Sequence, residues 1–266
     1  MESSQTGRSI MKRLIELMMT ALILAGLVPI CAAAEPDTQQ ATATSSETMT
    51  TAEMEAKGDS LRKQKEFPQA MQYYRAALRK EPTNAVLYNK LGMAELQSGN
   101  RKAAQTHFDK ASKLDANFAD PVNNLGVIAF IQKKNDRAIK YFKKALALNE
   151  TRPTFHVNLG AAWFAEEQWD RATTEFSRAV ELDPLVFNQS TRAGVLGQIS
   201  PEERARYDFM LAKMFAKRGD IDNCLAYLKK AKEEGYNDMG SVYKDEGFAK
   251  AWQDVRLAEV VPTPAR

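Results

Sequence analysis

His107 and His156 are the two imidazoles of this chain, and Glu166-Glu167 and Glu233-Glu234 are among its adjacent carboxylates. A metal would need such ligands to converge, and acid–base chemistry would need a carboxylate beside a group that perturbs it. The spacing provides for neither. The histidines fall in different units of a repeat, each at a position with a plain packing role, and the carboxylates sit side by side on exposed helix ends. The sequence has no Gly-x-Ser-x-Gly elbow, no His-Glu-x-x-His helix and no Gly-rich phosphate loop. The expectation is no catalysis, no metal and no cofactor. Cys31 and Cys224 complete the inventory. Cys31 lies in a leader-like segment, so the mature chain would carry Cys224 alone and no internal disulfide. Cys224 occupies a slot that is Ala in the other units, which predicts a buried small side chain.

The elements that would position any site repeat at a fixed period. Positions 8, 20 and 27 of successive 34-residue units read Gly58, Ala70, Ala77; Gly92, Ala104, Ala111; Gly126, Ala138, Ala145; Gly160, Ala172, Ala179; and Ala212, Cys224, Ala231. Units 51–84, 85–118, 119–152 and 153–186 follow without insertion, and a period of this size marks a repeat array. Each unit carries two helical patterns, as in Phe155, Leu159, Ala162 and Trp163 followed by Ala172, Phe176, Ala179 and Val180. Breaks within units are predicted near Lys65, Gly99, Lys133 and Glu167, and Pro82 and Pro184 close units one and four. Small residues at the crossing let two helix axes approach to the lower end of about 8–10 Å. The large residues at position 24, Tyr74, Phe108, Phe142 and Phe176, are expected to fill the seam between units.

Leu91-Gly92, Leu125-Gly126 and Leu159-Gly160, followed by the Ala, aromatic and Ala residues just named, resemble the tetratricopeptide repeat family. Lys57 in place of Leu, and Ala116 and Glu150 in place of a closing Pro, are local departures. The resemblance is close over 51–186 and looser over 205–238. It implies an all-α, right-handed α-solenoid whose concave groove is lined by the first helices. Ligand contacts in that family come from positions 2, 5, 6, 9, 12 and 13. Here they fall on Asn89, Lys90 and Met93; on Asn123, Asn124, Val127, Phe130 and Ile131; and on Val157, Asn158, Ala161 and Phe164. Asn124 and Asn158 would offer donor and acceptor to a peptide backbone, and Phe130, Ile131 and Phe164 apolar pockets. That combination suits an extended peptide or a helix with apolar anchors. Glu55 and Asp59 stand in unit one where a carboxylate-clamp member would need Lys and Asn.

After unit four, 187–200 reads as a loop or short hairpin rich in Gly, Ser and Thr. Ser200-Pro201-Glu202-Glu203 carries a capping-box signature and opens the fifth repeat, 201–238, whose register resumes at 205. Residues 239–266 are expected to form a cap of two short helices around Tyr243, Phe248, Trp252 and Leu257, then a tail. At the other end, Lys12 and Arg13 precede an apolar stretch from Leu17 to Ala34 that ends Ala32-Ala33-Ala34. This predicts a signal peptide over 1–34, with Met11 a possible start and cleavage before Glu35; an uncleaved anchor over 17–34 is the alternative. Residues 35–50 are polar and predicted to be a disordered tether. Beyond residue 34 the chain holds 34 bases and 32 acids, a balance that gives no footprint for nucleic acid. The expected function is a periplasmic or secreted interaction scaffold that binds a protein or peptide partner in its groove; oligomeric state stays open. The alternative is an accessory subunit acting on a cell-wall or protein-processing enzyme through its convex face.

Overall fold

The computed structural model describes residues 48–187 and 200–262. The expected leader (1–34), most of the tether, the loop from 188 to 199 and the last four residues lie outside the described residues. Ten long helices form five pairs: α1 Thr51–Lys63 with α2 Phe67–Lys80, α3 Ala85–Gln97 with α4 Arg101–Leu114, α5 Ala119–Ile131 with α6 Asn135–Leu148, α7 Pro153–Ala165 with α8 Trp169–Leu182, and α9 Pro201–Arg218 with α10 Ile221–Glu233. Strands are absent among the described residues, and no described helix is long and apolar enough to cross a membrane. Each expected unit is therefore one helix pair. Thr50 and Ser200 close capping boxes with Glu53 and Glu203, the second as its sequence signature predicts. Thr50, placed at the end of the tether by sequence, is thus the N-cap of α1, and the Met49 carbonyl beside it accepts from Lys80 at 2.6 Å.

The turn inside each unit is built one way. The fifteenth residue has a left-handed backbone in all five: Lys65 (φ 66°), Gly99 (φ 89°), Lys133 (φ 59°), Glu167 (φ 56°) and Gly219 (φ 83°). In unit three the Lys133 N–H donates to the Phe130 carbonyl at 2.8 Å and the Lys134 N–H to the Ala129 carbonyl at 3.0 Å. This double closure satisfies the orphan carbonyls at the end of the first helix and reverses the chain within three residues. A side chain in this conformation costs about 1–2 kcal/mol, which glycine avoids at roughly 0.4–1 kcal/mol of unfolded-chain entropy. Lys133→Gly is accordingly expected to raise stability by about 0.5–1 kcal/mol, read from the urea midpoint at unchanged m-value. No change or a loss would show that the lysine stem contributes more than its backbone strain costs.

Position 24 meets position 8 directly. Tyr74, Phe108, Phe142 and Phe176 are fully buried, and each presents its ring edge to the glycine of its own unit. The rings fill the crossing of the two helices within a unit and also reach the seam with the next: Phe108 shares a buried cluster with Leu125 and Ile128 of unit three, and Phe176 meets Tyr207 of α9 edge to face at 5.2 Å. Apolar packing then runs continuously from α5 through unit five into the cap, with Phe130, Phe176, Tyr207 and Phe248 in one core.

The junction between α8 and α9 differs from the others, where second and first helices of successive units pack side by side; here they touch far less. Phe187 fills part of the gap. Val186 and Phe187, which the sequence leaves in or beside a loop, form a helical turn and are buried. Phe187 meets Phe176 and Tyr207 edge to face at 5.7 and 6.5 Å. Beyond α10, 3-10 helices Met239–Tyr243 and Glu246–Ala251 and a short α11, Leu257–Val260, close the end. Phe248 and Leu257 are buried as the cap reading requires, with Phe248 against Phe209 of α9 at 5.3 Å. Trp252 is not: it stays 41% exposed and is held at its edge, where Nε1 donates to the Val242 carbonyl at 2.8 Å.

Candidate functional site on the concave face

The first helices carry a ladder of polar pairs joining position 5 of one unit to position 6 of the next. Lys90 donates to Glu55 at 2.6 Å, Asn124 Nδ2 to Asn89 Oδ1 at 3.0 Å, and Asn158 Nδ2 to Asn123 Oδ1 at 2.9 Å. Asn89 and Asn123 are buried, and an unpaired amide there would cost about 1–3 kcal/mol, so these bonds fix the amides facing one another. Lys90 also binds Asp59, which accepts from the Tyr74 hydroxyl at 2.7 Å. Burial pushes the Asp59 carboxyl up, but Lys90 and Tyr74 outweigh it and hold it below its ordinary value. The anomalous acids of unit one are therefore the counterpart of Lys90.

This ladder changes the standing of the twelve groove residues named from sequence. Asn89, Asn123, Val127, Phe130, Val157, Ala161 and Phe164 are buried; Lys90, Met93, Asn124, Ile131 and Asn158 are partly exposed. Asn124 and Asn158 each commit an amide N–H to the preceding unit, and Lys90 is bound on two sides. Phe130 is 3% exposed and forms core; it offers no open pocket.

The opening lies one unit further on. Where α8 and α9 splay, a cleft of about 780 Å³ is lined by Phe164, Trp169, Asp170, Thr173, Thr174, Arg206, Phe209, Met210, Lys213, Met214, Lys217, Tyr236 and Asp245. Arg206, Phe209, Met210, Lys213 and Lys217 are positions 2, 5, 6, 9 and 13 of unit five, the register that defines the concave face. Phe209 stacks on Tyr236 at 4.2 Å, and Phe164 packs edge to face on Trp169 at 5.1 Å. Trp169 remains 42% exposed at the rim. Lys213 is paired with Asp245 at 2.6 Å. Burial raises the Asp245 carboxyl, but Lys213 and the Gly247 amide hold it below its ordinary value. Arg206 and Lys217 are exposed and form no ion pair among the described residues. Sequence reasoning missed this cleft because the groove register was not carried into unit five; Phe164 alone connects the two sites.

Both histidines and Glu95 are built into the scaffold. Glu95, 1% exposed on α3, receives Arg75 at 3.2 Å and His107 at 2.6 Å, and His107 stacks on Tyr88. His156 bridges Glu175 at 2.7 Å and the Glu150 carbonyl at 3.0 Å. No group of three or more His, Cys, Asp or Glu among the described residues is placed to hold a metal ion. Cys224 is fully buried at the α9–α10 crossing, and burial pushes its thiol up to about 12, which removes thiolate chemistry at neutral pH.

Comparison with known proteins fits this architecture. Tetratricopeptide-repeat family profiles match residues 61–125 and 119–152. No curated protein sequence matches the chain. Among solved structures, pilF of Pseudomonas aeruginosa is similar over 80% of this chain and 92% of its own, at 18% identity and a TM-score of 0.52. The thermophilic repeat protein TTC0263 of Thermus thermophilus is similar over 76% and 98%, at 18% identity and 0.51. The Cut9–Hcn1 assembly of APC/C is similar over 81% of this chain and 39% of that one, at 21% identity and 0.52. At these identities the likeness is one of fold. Five helix pairs with one turn geometry, the Gly-aromatic crossings of units one to four and the two profile matches together make this chain a tetratricopeptide-repeat protein.

Proposed function

We propose that this protein is a non-catalytic interaction scaffold that receives a segment of a partner polypeptide on the face formed by its first helices, and that it works in the cell envelope. The observation that carries the reading is the cleft at the unit four–unit five junction. Concave positions of one unit stand open there around an exposed Trp169, whereas in units one to four the same register is largely spent on packing and on the ladder. Aromatic and Arg side chains at a partly open concavity are the residue types that dominate binding energy at protein interfaces. The leader-like Leu17–Ala34 segment supports export.

A photo-crosslinking residue at Met210, compared with one at the exposed Lys144 of α6, tests both parts in fractionated cells. The expected result is one discrete adduct from Met210, in the envelope fraction, and none from Lys144. An adduct from Lys144 alone would move the working surface to the second helices and favour the accessory-subunit reading. Adducts confined to the cytoplasm would remove the envelope from the proposal.

A further inference from the structure

The cleft has two unlike walls, and this polarity bears on what it takes. The α9 wall carries Arg206, Lys213 and Lys217; the α8 wall carries Asp170. Lys213 is already committed to Asp245. Thr173 and Thr174 donate their hydroxyls back to the Trp169 and Asp170 carbonyls at 2.9 Å, so the α8 wall presents acceptors. Five charged groups therefore leave a balance of one positive charge, located on α9 at Arg206 and Lys217. Between the walls Trp169, Met210 and Tyr236 are exposed or partly so, over a floor of the buried Phe164, Phe209 and Met214.

Each feature selects against other occupants. A purely apolar helix would leave two cations facing it without partners, a desolvation cost with no return. A phosphate dianion would meet Asp170 and Asp245 as well as the cations, in a site with a surplus of a single charge. A basic segment is opposed by the α9 wall. A large side chain with one flanking carboxylate matches both the apolar surface and the charge. Guanidinium and carboxylate suit one another in fork geometry, and an aromatic anchor suits a surface of rings and methionines.

Resting on the scaffold reading above, we propose that the unit four–unit five cleft recognises a partner segment in which an aromatic or large aliphatic residue is flanked by Asp or Glu. The apolar side chain enters between Trp169 and the Phe209–Tyr236 stack. The carboxylate lies toward Arg206 and Lys217, which fixes the direction of the segment across α9.

The test is selection of random peptides displayed on phage by the full chain. An Arg206→Glu, Lys217→Glu variant, shown by circular dichroism to keep its helicity, serves as the counter-target. Enriched peptides are then measured by fluorescence anisotropy. Sequences that pair an aromatic or large aliphatic residue with Asp or Glu, and that lose at least about tenfold in affinity against the variant, are the expected result. Trp169→Ala should weaken the same peptides while leaving the charge preference. Enriched peptides without an acidic residue, or acidic ones bound equally by native and variant chains, overturn the proposal. So does failure to enrich any peptide. The scaffold reading stands or falls separately, on whether a crosslinker at Met210 captures a partner.

Discussion

Phe142→Ala is expected to lower the stability of the array by about 3–5 kcal/mol. The ring is fully buried at the α5–α6 crossing, and its edge is so close to Gly126 that an added Cβ there would come within 2.5 Å of Cε1. Removing it opens a cavity that α5 and α6 cannot close, because Ala138 and Ala145 already hold them near their closest approach. Units in such an array contact only their neighbours, so a weakened third unit uncouples the two sides and the urea transition should broaden as well as shift. Gly126→Ala tests the same contact from the other side. It gains about 1 kcal/mol of helix propensity and loses about 1–3 kcal/mol by overpacking, for a net loss. Combined with Phe142→Ala, the new methyl points into the vacated space, and the double variant should be more stable than the sum of the singles by about 1 kcal/mol or more. A cost below about 1 kcal/mol for Phe142→Ala would mean that the crossing collapses freely and is not set by this ring.

Asp208→Asn should stabilise the protein at about pH 8 by about 2–4 kcal/mol and leave it unchanged near pH 4. Asp208 is 6% exposed on α9. Burial, then the charge of Glu234, push its carboxyl from 3.8 up to about 7, against the opposing pull of Lys230 and Arg204. The folded chain therefore keeps a proton that the unfolded chain releases. Stability is intact below the unfolded value and falls as pH rises between about 4 and 7, at about 1.4 kcal/mol per pH unit, after which it levels off. Asparagine occupies nearly the same volume and carries no charge to strand, so its advantage grows over that window and vanishes at its acid end. Urea unfolding of both chains across the window checks this. Parallel curves for the two chains would show that Asp208 is solvated or paired in the folded state.

The scaffold was legible in the sequence because its determinants are local and periodic. Small residues at the helix crossing, a large residue at position 24 and a break between the two helices recur at one spacing, so the crossing at Gly126 and the turn near Lys133 are readable from the residues, while the ring contact and the left-handed backbone are not. The capping box at Ser200 is readable for the same reason. The site was legible only in part. Register shows that Asn89 and Asn124 belong to the concave side, but not that their amides are bonded to each other across two units. Hydrogen bonds between residues 35 apart depend on how closely the helices approach. The cleft is subtler still, since it arises where the period breaks and α9 departs from the packing of the other first helices. Carrying the groove positions past that break would have named Arg206, Phe209, Met210, Lys213 and Lys217. Trp169 and the stack of Tyr236 on Phe209 carry no periodic signal, and the exposure of Trp252 depends on a cap whose turns are irregular.

Near-identical units carry an inherent ambiguity: any first helix could dock against the wrong second helix, in the same chain or in another, and bury much the same apolar surface. The ladder resolves it, because its rungs are not alike. Glu55 meets Lys90, amide meets amide at the next two steps, and unit four presents Val157 where another amide would be needed. A chain slipped by one unit would set Glu55 against Asn124 and leave Lys90 without its acid, stranding a charge among partly buried groups. The polar edge of the first helices thus marks both ends of the ladder, the charged rung at units one and two and Val157 at unit four, where the hydrophobic crossings do not discriminate.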